Sequence, residues 1–403
     1  MNGPTTTLTP ADPATVFLSY ARDDLEPVER LERALKLRGV RVLRDIPTLS
    51  LGAHNVEALR AMIAEQCDAI IFYASARVLA SDFVWRYEVP EALARRRRQP
   101  GFHVISILPH GVSFGALAAV CADHGLESLA DFNAVPLTGT TPSPDELSSI
   151  GRRSLASAFS LRCARGSKGE AVGLCLRTFP YAPPADELHL DLDWSDPFTE
   201  PGLSPDDWAS ELVPALRDVA AELARHRPAR VIDAWVKTRL PAALALGHAF
   251  PPKGGTHLRL HHESGVWLPD GPSGDVAGLS AVTNHLGTDP TAIVELSISR
   301  DVTPAVSDWR RDTGFTPGWR LRYTPVDGPS RTSVVDAAQA RAWVRRVGDD
   351  VRELWDKERV EEIHLFAATP VEFAVMLGQQ LRDKHRIHVY AHGQDGCHLA
   401  CVL

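Results

Sequence analysis

The sequence predicts an α/β protein with parallel sheets, and three of its features carry that expectation. Short apolar runs alternate with amphipathic stretches from Thr15 onward, the pattern of strands joined by crossover helices. Polar loops follow the apolar runs, at the sheet edge where open α/β sheets hold their ligands. The C-terminal half contains an ungapped internal repeat. With 403 residues, 44% of them hydrophobic, the chain has the length for two or three domains, each with its own core.

The N-terminal residues 1–13 read as a disordered lead-in. TVFLSY (15–20) is the first strand and ends in polar ARDD. LEPVERLERALKLRG (25–39) is a helix with Leu31, Leu35 and Leu37 on its apolar stripe and Gly39 as its C-terminal stop. VRVL (40–43) is the next strand, followed by the loop RDIPTLSLGAHN. VEALRAMIAEQC (56–67) is a second amphipathic helix and DAIIFYAS (68–75) a buried strand. DFVWRYEVPEALARRRR (82–98) is helical, with a break expected near Pro90, whose ring and missing N–H oppose a helix interior. FHVISILPH (102–110) is a further strand. The Pro-, Ser- and Gly-containing stretch TGTTPSPDELSSIGRR (138–153) reads as a linker or hinge, which sets a domain boundary near 140–165.

The repeat lies beyond that boundary. RPARVIDAWVKTRLPAALALGHAF (227–250) aligns with ERVEEIHLFAATPVEFAVMLGQQL (358–381) at an offset of 131. Ile232 falls on Ile363, Trp235 on Phe366, Thr238 on Thr369, Leu246 on Leu377 and Gly247 on Gly378. Each copy reads as a strand, a turn with Thr, then a helix. Helices at 208–224 and 339–355 precede the two copies, and strands at 170–179 and 291–299 precede those helices. The region is therefore expected to hold two copies of one small α/β unit, a pseudo-symmetric pair with a shared cleft.

Composition narrows the classes of function. Lys+Arg 43 against Asp+Glu 51 gives a net charge of −8, which argues against a nucleic-acid coat protein but leaves room for a local phosphate pocket. No apolar run approaches the ~20 residues that span a bilayer. The lead-in lacks a basic n-region and an apolar h-region. Six scattered cysteines (Cys67, Cys121, Cys163, Cys175, Cys397, Cys401) read as thiols of a reducing compartment, so a cytoplasmic location is expected.

FLSYARDD (17–24), RDIPTLSLG (44–52), IIFYAS (70–75) and SDFVWRYEVPEAL (81–93), in that order and spacing, resemble a TIR domain. The resemblance implies a flavodoxin-like parallel sheet over residues 14–140. The repeat, and IHLFAATPVEFAVMLGQQL (363–381) above all, resembles a SAVED domain, a fusion of two CARF-like (Rossmann-like) units that binds cyclic oligonucleotides. On that reading residues 141–165 are the linker and 166–403 the SAVED domain, with pseudo-repeats at about 166–285 and 286–403. The whole chain resembles a TIR–SAVED effector of a bacterial cyclic-oligonucleotide anti-phage (CBASS) system.

TIR domains of this kind resemble NAD+ glycohydrolases with one indispensable glutamate, by position Glu88. One carboxylate suffices because nicotinamide departs from NAD+ as a neutral molecule. No general acid is needed, unlike ordinary glycoside hydrolysis, and the remaining task is to favour the ribosyl cation with a fixed anion. The bland alternative for Glu88 is a solvated helical glutamate. Many TIR sequences place Trp four residues before the glutamate, whereas here Val84 holds that position and Trp85 follows it. Trp85 is then either a nicotinamide-pocket residue or a core anchor. Phe17, Ser19, Tyr20 and Arg22 lie at the carboxyl end of the first strand, and Ser75 ends a later strand facing the same edge. Asp45, Leu51 and Gly52 belong to the loop that in TIR assemblies reaches a neighbouring subunit. Arg95 to Arg98 read as a solvated face opposing the helix dipole.

In the SAVED-like region a polyphosphate ligand with adenines calls for helix N-termini, cations and stacking surfaces. The candidates are Lys237, Thr238 and Arg239 in the first copy and Thr369 in the second. Arg177 and Thr178, Ser299 and Arg300 at strand ends, and His392 in a final loop YAHGQDGCH (390–398) complete the set. Thr at such turns is equally a plain helix cap. His257, His261 and His262 in THLRLHHES put two imidazoles on one face of a strand, and with no third ligand to place no metal is assigned. No resident cofactor is expected, NAD+ being substrate and cyclic oligoadenylate, in the first place the tri-adenylate, activator. The expected function is an NADase switched on by head-to-tail oligomers or filaments that form on ligand binding, with no membrane or long nucleic acid as partner. Two rivals remain: a non-enzymatic TIR scaffold that recruits a partner, and a ring nuclease, for which the C-terminal half shows no evident base.

Overall fold

The computed structural model describes residues 13–44, 53–165, 171–182, 188–198, 203–226, 231–252, 256–381, 386–393 and 396–403. The chain divides into two compact units, one running to Cys175 with Ala182–Asp193 and the other formed by Leu176–Tyr181 with Trp194–Leu403.

In the first unit, β1 (Thr15–Ser19), β2 (Arg41–Arg44), β3 (Ala69–Tyr73), β4 (His103–Leu108) and β5 (Ala134–Pro136) form an all-parallel sheet of order β2-β1-β3-β4-β5. This is the flavodoxin-like order. β1 and β3 are buried at every residue, which is why both read as unbroken apolar runs. Gly39 stops the preceding helix with a φ of 78°, and a Cβ there would sit 2.9 Å from Leu192 Cδ1, so both conformation and space call for glycine.

The helix over 82–98 does not break at Pro90. Val84–Glu88 form a π-turn that runs into the helix Val89–Arg98, and the Val89 amide donates to the Val84 carbonyl. The widened turn puts Pro90 in the first turn of the α-helical part, where a missing N–H costs least. The basic run is a solvated face only at its end, where Arg97 and Arg98 are exposed. Arg95 is buried, donates to the Ile63 carbonyl at 2.8 Å and lies over Phe102. Arg96 covers Phe132, and Arg97 and Arg98 pair with Glu127 and Glu91.

The stretch expected as linker is the helix Pro144–Arg165. Its Pro and Ser are helix-start chemistry: the Ser143 hydroxyl accepts from the Glu146 amide at 3.3 Å while the Glu146 carboxylate accepts from the Ser143 amide at 2.8 Å. Leu155, Ala158 and Phe159 are buried, and the fully buried Arg162 donates to Asp68 at 2.7 Å. The segment is part of the first unit's core, and the division falls inside β6 (Val172–Arg177). β7 (Leu190–Asp193) belongs to the first unit.

In the second unit, β8 (Val231–Lys237) pairs parallel with β9 (His257–His262), and β9 antiparallel with β10 (Gly265–Trp267). A six-stranded sheet follows from β11 (Leu279–His285), β12 (Thr291–Ser297), β13 (Trp319–Pro325), β14 (Glu362–Ala368), β15 (Arg386–Gly393) and β16 (Gly396–Val402). Its order is β11-β13-β12-β14-β15-β16, with parallel pairs inside and antiparallel pairs at both margins. Of the segment 390–398, residues 390–393 belong to β15 and 396–398 to β16, paired antiparallel, so His392 stands on a strand and not on a free loop.

The repeat holds residue for residue. β8 and β14 have matching bounds at the offset of 131, as do the helices Leu240–Ala249 and Val371–Gln380. The Thr178 amide donates to the Lys237 carbonyl in one copy, and the Ser299 amide to the Ala368 carbonyl in the other. The two helices cross at their glycines. A Cβ on Gly247 would lie 1.9 Å from the Val375 carbonyl oxygen, and one on Gly378 would lie 2.2 Å from that of Leu244. Among the described residues no helix is long and apolar enough to cross a membrane.

Candidate functional site

In the first unit, the parallel register of β1 and β3 sets Ser19 opposite Phe72, so their carboxyl ends share one edge. Glu88 arrives there at the end of the π-turn, and the Ser19 hydroxyl donates to its Oε2. Both residues are buried, with Glu88 4% exposed. A second carboxylate, Asp24, sits at the same edge and accepts from the Ser75 hydroxyl and from Arg77 Nη1 at 2.7 Å. Glu88 is thus a held, buried group and not a solvated helical glutamate.

The other candidates are distributed around this pair. Tyr20 is half-buried and Arg22 exposed, while Phe17 is fully buried within the core. Trp85 takes the packing role of the two left open. It is 2% exposed, its indole N–H donates to the Val78 and Leu79 carbonyls, and it belongs to the core cluster. Asp45, Leu51 and Gly52 lie outside the described residues. Sequence reasoning missed Asp24 and Arg77. Asp24 stands in the ARDD segment and Arg77 two residues after Ser75, yet nothing in the sequence pairs them.

In the second unit, a cavity of about 460 Å³ opens where strand ends of the first copy meet the helix N-terminus of the second. Phe179, Tyr181, Lys237 and Thr238 line it from the first copy, and Val371 and Glu372 from the second. Thr238 is 5% exposed, and its hydroxyl is buried without a hydrogen-bond partner. Lys237 Nζ lies 6.0 Å from the Tyr181 ring centre, and the Arg239 guanidinium lies 5.7 Å from that of Phe179. Thr178 supports this wall by accepting from the Arg239 amide at 2.9 Å. Burial raises the Glu372 carboxyl above the usual range, against the opposing charges of His262 and Lys237.

Ser299, Arg300, Thr369 and His392 lie on or just after strands of the six-stranded sheet, whereas Arg177 lies on a different sheet. Ser299 is tied to Ala368, and the Thr369 hydroxyl donates to the Pro370 carbonyl at 3.1 Å. His392 lies on β15 with Nδ1 3.3 Å from Cys397 Sγ, and burial together with nearby Arg300 lowers its pKa. Arg177 is half-buried at the end of β6. Of the histidines set aside earlier, His261 bonds Asp233, His257 bonds Asp270 and His262 bonds Ser264. Glu372 escaped the sequence reading because its counterpart in the first copy is Pro241.

A flavodoxin-ordered sheet with a buried carboxylate at its carboxyl-end edge, and a duplicated α/β unit with a cleft between its copies, define a two-domain α/β protein. Residues 16–146 match the TIR domain family, and residues 215–398 match the family described as SMODS-associated and fused to various effectors sensor domain, SAVED. The chain carries a TIR domain followed by a SAVED domain. None of the curated proteins matches it. Among solved structures, the Acinetobacter baumannii Cap4 SAVED/CARF-domain containing receptor with the cyclic trinucleotide 3'3'3'-cAAA shares 14% identity, with 95% of this chain and 99% of that one covered at a TM-score of 0.50. The Moraxella osloensis Cap4 SAVED/CARF-domain containing receptor shares 13% identity, with 95% and 100% covered at a TM-score of 0.45. At 14% identity the likeness to the first of these speaks for the fold alone.

Proposed function

We propose that the second unit senses a cyclic oligoadenylate, in the first place the tri-adenylate, and that the first unit is the NAD+ glycohydrolase it controls, as a cytoplasmic effector of a CBASS-type anti-phage system. The observation that carries this reading is the cavity shared by the two copies. One wall supplies a buried hydroxyl without a partner, a lysine and aromatic faces; the other supplies a helix N-terminus. These are the groups that phosphates and adenines need. The solved relative with a bound cyclic trinucleotide supports the choice of ligand class.

In the first unit, NAD+ lies over the shared edge of β1 and β3, with its ribose at Glu88. The pyridinium leaves as neutral nicotinamide, the Glu88 anion favours the ribosyl cation, and water completes ADP-ribose with release of one proton. The Ser19 hydroxyl holds the carboxylate in one orientation. Ligand binding drives head-to-tail assembly in which the 44–52 loop of one copy completes the Glu88 site of the next. A contact of that heterologous kind propagates into filaments when its rotation does not close.

The test measures nicotinamide release with and without cyclic tri-adenylate while following particle size. Release should start only with the ligand and rise with assembly. Glu88→Gln should bind and assemble normally but lose about 100–1000-fold in turnover, the usual cost of a removed charge-stabilising group. Ligand-driven assembly without any NAD+ consumption would instead establish the scaffold reading.

A further inference from the structure

Three metal-type donors converge on the second unit's larger sheet. Glu362 and His364 stand two residues apart on one face of β14, and the parallel register sets His388 of β15 directly opposite His364. One ligand atom from each lies within 4.8 Å of the other two. His364 is 7% exposed; its Nδ1 shares a 2.9 Å hydrogen bond with the Tyr390 hydroxyl, and its Nε2 has no partner. His388 Nε2 lies 3.3 Å from Glu362 Oε2, and the two imidazoles stack at 4.7 Å. A buried ring nitrogen left without a partner is costly and calls for an occupant.

The first copy shows what kind of occupant. Through the strand registers, Asp233 corresponds to His364, Arg259 to His388 and His261 to Tyr390. There the centre is closed by opposite charge: Arg259 Nε donates to Asp233 at 2.7 Å, and His261 sits 2.8 Å from the same oxygen. In the second copy the acid has become an imidazole and the guanidinium another imidazole, with Glu362 supplying a carboxylate at the rim. Arg386 lies 3.4 Å from the other oxygen of Glu362 and leaves Oε2 facing His388. The second copy thus presents three metal-type donors where the first has an internal ion pair.

We propose that Glu362, His364 and His388 form a binding site for one divalent transition-metal ion of the zinc type. Two imidazole nitrogens and one carboxylate oxygen are a donor set that Zn2+ takes, with a fourth position left for water or another ligand. Tyr390 is a positioning residue: by engaging Nδ1 it presents Nε2 of His364 to the metal. Zn–N distances of ~2.0–2.1 Å draw bound donors together by side-chain rotation. The ion joins β14 to β15 and supplies the positive charge that Arg259 supplies in the first copy.

The experiment uses the full chain, stripped with chelator and titrated calorimetrically with Zn2+ alone, with Co2+ as spectroscopic probe. One equivalent should bind with at least micromolar affinity and raise the melting temperature, and Co2+ should give the visible absorption of a low-coordinate N/O site. Glu362→Gln and His388→Gln should each weaken binding beyond the ~10–100-fold that loss of a supporting group costs, and Tyr390→Phe should fall within that range. The Co2+ spectrum of the unaltered chain answers the question even if a variant misfolds. Absence of binding at micromolar Zn2+ would overturn the proposal, as would binding that neither Glu362→Gln nor His388→Gln weakens.

Discussion

In the first copy of the duplicated unit Trp235 stacks on His261 at 4.4 Å; in the second Phe366 stacks on Tyr390 at 4.2 Å, at the same two strand positions. The backbone hydrogen bonds and the crossing glycines repeat equally well. The turn after the strand does not. The first copy reads Lys237-Thr238-Arg239, with a buried hydroxyl that has no hydrogen-bond partner; the second reads Ala368-Thr369-Pro370, with its hydroxyl bonded to the Pro370 carbonyl. Packing constrains both copies alike, because each must bury the same face. The polar positions at the cleft are free to diverge, and one copy has become the cationic wall and the other the helix-dipole wall.

The comparison breaks most sharply at the glycines. Gly247→Ala and Gly378→Ala each drive a methyl into a carbonyl oxygen and should cost about 3 kcal/mol or more. Denaturant titration should find the two costs alike; a tolerated alanine at one position would show that the pairing is not reciprocal. The turn asymmetry predicts the next largest effect. Lys237→Ala should weaken cyclic tri-adenylate binding about 10–100-fold, as for a lost hydrogen bond to a charged group, whereas Thr369→Val should change it less than about threefold. Equal losses in a direct binding assay would mean that the ligand reads both copies alike.

The smallest effect concerns Glu372. Burial raises its carboxyl, with His262 and Lys237 pulling the other way and Glu263 adding to the rise. Such a group takes up its proton at a higher pH than an ordinary glutamate. As pH falls toward that value the cavity wall loses negative charge, and binding of a phosphate-bearing ligand should strengthen by a few fold. Glu372→Gln should flatten that dependence, measured as affinity against pH; an unchanged slope would place the titration elsewhere.

Periodicity and the repeat were enough to read the first unit's parallel sheet and the duplication, because both follow from which faces are buried, whereas the antiparallel margins of the second unit's sheets were not read. Other features needed the third dimension. Ser143-Pro144-Asp145-Glu146 carries a capping-box signature, yet its Pro and Ser content also fits a linker, and only the buried face of the helix decides between them. Arg95 reads as one of four surface cations until Ile63 and Phe102 are brought beneath it. The motif singled out Glu88 but not its burial against Ser19, and Asp24 with Arg77, and Glu362 with His388, are pairings made by strand order across distant sequence. Trp85 was undecided because one shift along a helix moves a ring between groove and core.

The joint where the helices Leu240–Ala249 and Val371–Gln380 meet is main chain against main chain. No rotamer stands there to yield, so the joint works like a rivet. A displacement of one helix could not be taken up there by side-chain rotation, so whatever shifts one copy of the duplicated unit at this joint should shift the other with it.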